Sequence, residues 1–180
     1  MSLPTIADLP SLRAADHPEL VATPTAALLA RWPQSASVAV VEIDPDLADT
    51  AALTEAYDLP LAASGNCVLV GGQRAGEERI AACVVPADVR ADVNNLVRRL
   101  LDVRKASFLA TERAVADSGM EYGGITPVGL PAAWRVLVDS RLLDQPVVVL
   151  GSGVRRSKLL VPGAALASLP GVEIVEGLGR

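Results

Sequence analysis

A mixed α/β fold is what this sequence predicts: a mainly antiparallel sheet curled toward a barrel, with helices around it. Three observations point there. Short apolar runs, "SVAVVEI", "NCVLVGG", "IAACVVP", "WRVLVD" and "PVVVLG", are spread along the chain and read as strands. Two of them flank the turn-rich "GGQRAGEER", the pattern of a hairpin. Helical stretches fall between the others without strict alternation, which argues against a doubly wound parallel sheet. At 180 residues, 51% hydrophobic, the chain suits one domain with a sizeable core. Aromatics are only 3%, so Val, Leu, Ala and Ile must fill that core.

Taken in order, residues 1–15 lack periodicity and contain Pro4 and Pro10, as a loose or packed-down extension would. Residues 16–32 read as a helix ending near Trp32-Pro33, and Pro24 inside it favours a break or kink. Its start is "ADHPEL", with Asp16 as cap, Pro18 in the first turn and Glu19 three residues after the cap. Residues 1–35 thus form an N-terminal extension and helix, and residues 36–180 a single globular unit. That unit begins with a strand over 37–43, then a helix over 46–57, then hairpin strands over 66–71 and 79–85. "ADVRADVNNLVRRLLD" places Val93, Leu96, Val97, Leu100 and Leu101 on one helical face. A short strand from Lys105 leads to a helix at "TERAVADSG", capped by Thr111. "VLVD", "VVVL" and "KLLV" are strands, "GAALASL" a short helix and "VEIVE" a final strand.

Several function classes are disfavoured by composition. Every apolar run is too short to cross a bilayer and no charged-then-apolar leader opens the sequence, so a cytoplasmic location without membrane partners is expected. Cys67 and Cys83 sit in apolar runs without metal-ligand spacing, as small hydrophobes do. The one histidine, His17, belongs to a helix start, so no Ser-His-Asp or Cys-His system can be assembled around another. A net charge of −5 argues against non-specific coating of nucleic acid, and no DNA partner is expected. Locally, Arg98, Arg99, Arg104 and Lys105, and again Arg155, Arg156 and Lys158, form basic clusters. A solvated helix face explains the first; two clusters that met in space could hold phosphates.

The least ordinary stretch is "EYGGITPVGLPAAW", residues 121–134. Gly123, Gly124, Pro127 and Gly129 make either a plain turn or a loop that brings its main chain against a ligand. "VVVLGSGVRR" imitates a dinucleotide-binding turn, but Arg156 replaces the third glycine and Pro162-Gly163 interrupts the helix that should follow.

Together these segments carry a resemblance. "RADVNNLVRRLLDVRKASFLATERAVADSGMEYGGITPVGLP", followed by "VLVDSRLL" and "VVVLGSGVRRSKL", resembles the YbaK/EbsC family, free-standing relatives of the editing domain of bacterial prolyl-tRNA synthetases. The similarity runs from about residue 36 to the C-terminus. Its most specific part matches the family's glycine-proline loop at Gly123, Gly124, Ile125, Thr126, Pro127 and Gly129, and Gly151, Ser152 and Gly153 make a second match. The resemblance implies the barrel-like fold above and a pocket, walled by these loops, for the aminoacyl end of a mischarged tRNA. It implies hydrolysis of the aminoacyl ester without metal or other cofactor, by the tRNA's terminal hydroxyl or a positioned water, with a lysine and main-chain amides stabilising charge. The implied partner is an aminoacyl-tRNA through its 3′ end, with an aminoacyl-tRNA synthetase as a second candidate. Contacts to the tRNA would use Arg98, Arg99, Lys105, Arg155 and Arg156.

Two departures from the family pattern matter. In "ASGNCVLV", Asn66 stands where the family places its lysine, and Lys158 stands where an acid often occurs. Either Lys158 supplies the cation from the opposite wall while Asn66 orients the ester, and the protein is a deacylase acting in trans; or catalysis is lost, and the module binds an aminoacyl, amino acid or nucleotide ligand. Lys158 could equally be a surface lysine, and Asn66 a strand-start asparagine bonding the backbone.

Overall fold

A computed structural model describes residues 2–180. The N-terminal segment is packed down. Leu12–Arg13 (β1) pairs with Ala39–Glu42 (β2), and Ile6, Ala14, Leu20 and Trp32 are buried. The helix expected over 16–32 is broken into single turns at Ala14–Asp16 and Pro18–Leu20, followed by Thr23–Leu29 (α1). Prolines explain the breaks: Pro18 and Pro24 each lack the amide that a helix interior uses, so each opens a new turn instead. Asp16 makes no side-chain cap; His17 Nδ1 lies 2.9 Å from Glu19 Oε1.

Asp44 accepts from the Asp46 amide at 3.0 Å and starts a turn at Pro45–Leu47, which leads into Thr50–Tyr57 (α2). The hairpin is longer than the apolar runs suggest. Gly65–Arg74 (β3) and Glu77–Pro86 (β4) pair in register from Gly65–Pro86 to Arg74–Glu77, joined by a two-residue turn at Ala75 and Gly76, both with positive φ. The expected helix after it starts as a wide π turn at Val93–Val97 and closes as Arg98–Leu100 (α3). Ala106–Phe108 (β5) and Thr111–Ser118 (α4) follow, with Ala110 rather than Thr111 at the cap position. Arg135–Asp139 (β6), Val148–Gly151 (β7), Ser157–Val161 (β8) and Val172–Val175 (β9) complete the strands, and "GAALASL" forms a 3-10 turn over Gly163–Ser168.

The strands form a four-stranded sheet, β1-β2-β8-β7, and a five-stranded sheet, β5-β3-β4-β6-β9. Pairing is antiparallel except for β4–β6 and β6–β9. A bridge between Ser64 and Val149 links the two sheets at one corner, which gives the mixed, barrel-like architecture. Strand alternation then builds three apolar layers. Val40, Leu159 and Val161 of the first sheet, with Val38 just before β2, meet Val84, Val136 and Val138 of the second, closed by Leu28, Leu29 and Trp32. On the outer side of the second sheet, Val97, Leu101 and Val103 cover Val70, Ala81, Cys83 and Leu137. On the outer side of the first, Leu53 of α2 and Ile6 cover Ala39, Val41, Val149 and Leu160. The fully buried carboxylate of Asp139 accepts from the Arg141 guanidinium and from the Gly179 amide at 2.8 Å, pinning the C-terminal residues.

Candidate active site

Where α2 begins, beside the corner that joins the sheets, lies an open cleft of about 290 Å³. One wall is Ala48–Thr50 and Leu53, a second is the start of β3 from Ser64 to Val68, a third is Tyr122, Gly123 and Ile125, and the floor is Val149–Gly151 with Lys158.

Lys158 owes its position to strand period. In β8, Ser157, Leu159 and Val161 face the inner core, so Lys158 and Leu160 face the α2 side. There the lysine is 5% exposed and its ammonium donates to the Ala48 carbonyl at 2.6 Å. Burial lowers its pKa to about 8; the Arg155 charge adds to the effect and the Asp49 carboxylate opposes it. An ammonium carries three donors, so two remain after Ala48 is satisfied. Lys158 is therefore not the surface lysine that the sequence left open.

Asn66 stands on the facing strand. Its Oδ1 accepts from Thr50 Oγ1 at 2.5 Å, which fixes the amide and leaves its two N–H groups without a protein acceptor among the described residues. Cys67 also lines the cleft, yet its side chain packs on the apolar cores, and that burial pushes the thiol up, away from the thiolate a nucleophile needs. Among the described residues no group of three or more His, Cys, Asp or Glu is arranged to hold a metal ion.

The glycine-proline loop is zipped to the second glycine loop. Glu121 N donates to Gly153 O at 2.8 Å, Gly153 N to Gly124 O at 2.7 Å, and Ala22 N to Ser152 O at 3.0 Å. A Cβ on Gly151 would stand 2.4 Å from Gly124 O, and one on Gly124 would stand 2.7 Å from the Val154 carbonyl. These two glycines thus permit backbone to pack on backbone. The loops supply the cleft with Gly123, Ile125 and Gly151 directly. Gly124, Thr126, Pro127, Ser152 and Gly153 are buried behind that surface, and Gly129 packs on Pro24. Ser152 and Ser157 hydroxyls lie 2.7 Å apart, and Ser157 donates to the Leu20 carbonyl, a polar seam that holds the loop to the N-terminal segment.

The basic residues do not converge. Arg155 lies at the mouth, donating to Tyr122 O at 3.3 Å and Pro45 O at 2.9 Å. Arg156 is exposed and donates to Glu19 O. Arg98 and Arg99 belong to α3, and Lys105 precedes β5, which pairs with Val70–Gly72 in the half of β3 away from the cleft. Sequence reasoning missed Asp49, Thr50, Ser64 and Tyr122. Thr50 meets Asn66 across a helix-to-strand connection, a contact with no periodic signature.

The family model of the aminoacyl-tRNA editing domain matches residues 44–169. No curated protein matches the chain by sequence. Among solved structures, a candidate trans-editing enzyme for prolyl-tRNA synthetase superposes with a TM-score of 0.74 at 18% identity, covering 88% of this chain and 96% of that one. A protein from computational grafting of epitope backbones onto scaffolds gives 0.69 at 22% identity, covering 88% and 96%. The hypothetical protein APE2540 gives 0.67 at 19% identity, covering 82% and 94%. At such identities these likenesses speak for the fold, whereas the family match spans the cleft-forming residues from Ala48 to Lys158, and on that match the chain belongs to the aminoacyl-tRNA editing domain family to which the YbaK/EbsC resemblance pointed.

Proposed function

We propose that the protein is an aminoacyl-tRNA deacylase acting in trans, hydrolysing the ester of a mischarged tRNA in the cytoplasm. The observation that carries this reading is Lys158, a buried ammonium with spare donors in the cleft of an editing-domain fold. In ester hydrolysis the carbonyl oxygen gains negative charge as water, positioned by the tRNA's neighbouring terminal hydroxyl, adds to the carbon. A donor fixed in a poorly hydrated site stabilises that charge without reorganisation. Lys158 fills that role, with the Asn66 amide N–H groups orienting the ester or terminal ribose. Collapse of the adduct releases the tRNA hydroxyl and the free amino acid. Leu53, Ile125, Val149 and Leu150 give the cleft an apolar lining that selects by size. Residues 36–180 would be the editing unit, with residues 1–35 bracing its loops. Arg155 and Arg156 would contact tRNA near the mouth, and Arg98, Arg99 and Lys105 farther along it; an aminoacyl-tRNA synthetase is a candidate partner for delivery.

Deacylation of a panel of mischarged tRNAs tests this. Wild-type protein should hydrolyse at least one, Lys158→Ala should lower turnover by about 10²–10³, the scale for losing one charge-stabilising donor, and Asn66→Ala should cost less. Tight binding of an aminoacyl ligand with no hydrolysis of any tRNA would favour the inactive binding module instead.

A further inference from the structure

Among the described residues four large hydrophobic side chains are exposed, Leu61, Phe108, Tyr122 and Ile174, and of these Tyr122 alone lines the cleft. The residue is 62% exposed, but its backbone is clamped. The Arg155 guanidinium donates to Tyr122 O at 3.3 Å and to Pro45 O at 2.9 Å, while the Arg155 amide donates to Glu121 Oε2 at 2.7 Å. Glu121 itself donates to Gly153 O at 2.8 Å, and its carbonyl accepts from Gly124 N at 3.0 Å. Gly123, with φ of +81°, leaves its Cβ position to Arg155, whose Nη1 would lie 2.6 Å from a Cβ there. An aromatic face is thus held out on a rigid mount, beside a fixed cation, at the mouth of an apolar cleft.

We propose that Tyr122 is the platform on which the 3′-terminal base of the RNA ligand stacks. The proposal rests on the editing reading above. In an aminoacyl-tRNA the terminal ribose carries both the ester and the base, so when the aminoacyl group enters the cleft the base must lie within a sugar's width of it. Among the described residues, the one aromatic ring lining that cleft is that of Tyr122. Stacking on a π face is tolerant of base identity and removes the exposed ring from water, and the adjacent Arg155 charge favours the neighbouring phosphate.

The test compares Tyr122→Ala, Tyr122→Leu and Tyr122→Phe in two assays, deacylation kinetics and direct binding of a short uncharged RNA ending in cytidine-cytidine-adenosine. Ala and Leu variants should raise KM and weaken RNA binding by about 5- to 100-fold, with kcat within a fewfold, whereas Phe should retain wild-type affinity because it keeps the flat ring. Leu preserves apolar bulk, so its loss separates stacking from simple burial. Equal KM and equal RNA affinity in wild type and Tyr122→Ala would overturn the proposal. Tyr122-dependent RNA binding by a protein that hydrolyses no aminoacyl-tRNA would sustain it while overturning the deacylase reading. Hydrolysis with unaltered KM in Tyr122→Ala would do the reverse.

Discussion

In the proposed deacylase, Lys158 joins stability to chemistry in a single side chain. Burial lowers its pKa to about 8, Arg155 reinforces that, and Asp49 only partly offsets it. Near neutral pH the ammonium still predominates, as a charge-stabilising donor requires. Turnover should therefore fall as pH rises through about 8, and a pH–kcat profile lacking that descending limb would remove Lys158 from the mechanism. Stability has the opposite sign. The unfolded lysine titrates near its ordinary value, so above pH 8 the unfolded chain binds the extra proton and the folded state gains as pH rises. The gain is roughly 3 kcal/mol across that window, and below it the cost of the buried charge is fully present. Denaturant melts of wild type and Lys158→Met between pH 7 and roughly pH 10.5 should diverge in that direction, since only the wild type carries the titrating group. Both Lys158 and Asn66 were legible as departures from a family pattern. Their partners, the Ala48 carbonyl and the Thr50 hydroxyl, were not, because each comes from a segment distant in sequence.

At the scale of elements, the paired loops 121–129 and 151–153 set the cleft's third wall and part of its floor. Their glycines were read as bringing main chain against a ligand or as a turn; the structure uses Gly124 and Gly151 to bring main chain against main chain. Gly151→Ala would place a methyl 2.4 Å from Gly124 O and 2.6 Å from Ile125 O. Gly124 O cannot move without breaking its bond from Gly153 N, so the variant should lose about 1–3 kcal/mol, the range for overpacking a tight contact. A denaturation midpoint shift accompanied by reduced kcat is expected. An unshifted midpoint would mean that the loops are looser than their hydrogen bonds imply. Most strands were well marked because they carry a compact apolar run, and the hairpin because its turn chemistry is local; β1, two residues long, has no such run and was not marked. Helices were less well marked. The one expected over 16–32 became separate turns ahead of α1, and the one in "ADVRADVNNLVRRLLD" opens as a π turn, since prolines and packing against the sheets, not periodicity, fix where each turn closes.

Across the whole molecule, the basic residues proposed to contact tRNA stand in two separate places on an acidic chain. Arg155 and Arg156 stand near the cleft, whereas Arg98, Arg99 and Lys105 lie with the far half of β3 and its edge strand. A tRNA that reached both would have to lie along the molecule rather than touch it only at the 3′ end. Binding should weaken with salt, and Arg156→Gln should reduce the log–log salt slope by about 0.7–0.9, the value for one phosphate contact. A slope identical to wild type would take Arg156 out of the RNA interface. The same measurement on Arg99→Gln reports whether the distant cluster takes part.

By itself the sequence determined the sheet-rich mixed fold, the positions of most strands, the family, and two candidate site residues, Asn66 and Lys158. Each of these is written in local pattern: apolar runs, turn residues, or a motif matched residue by residue. Only the tertiary structure decided that Lys158 is buried and faces Asn66 across one cleft, that the glycines pack loop on loop, and that Tyr122 stands at the mouth. Those facts depend on which face of β8 meets α2 and how a corner bridge at Ser64 and Val149 joins two sheets, long-range pairings that no local pattern encodes.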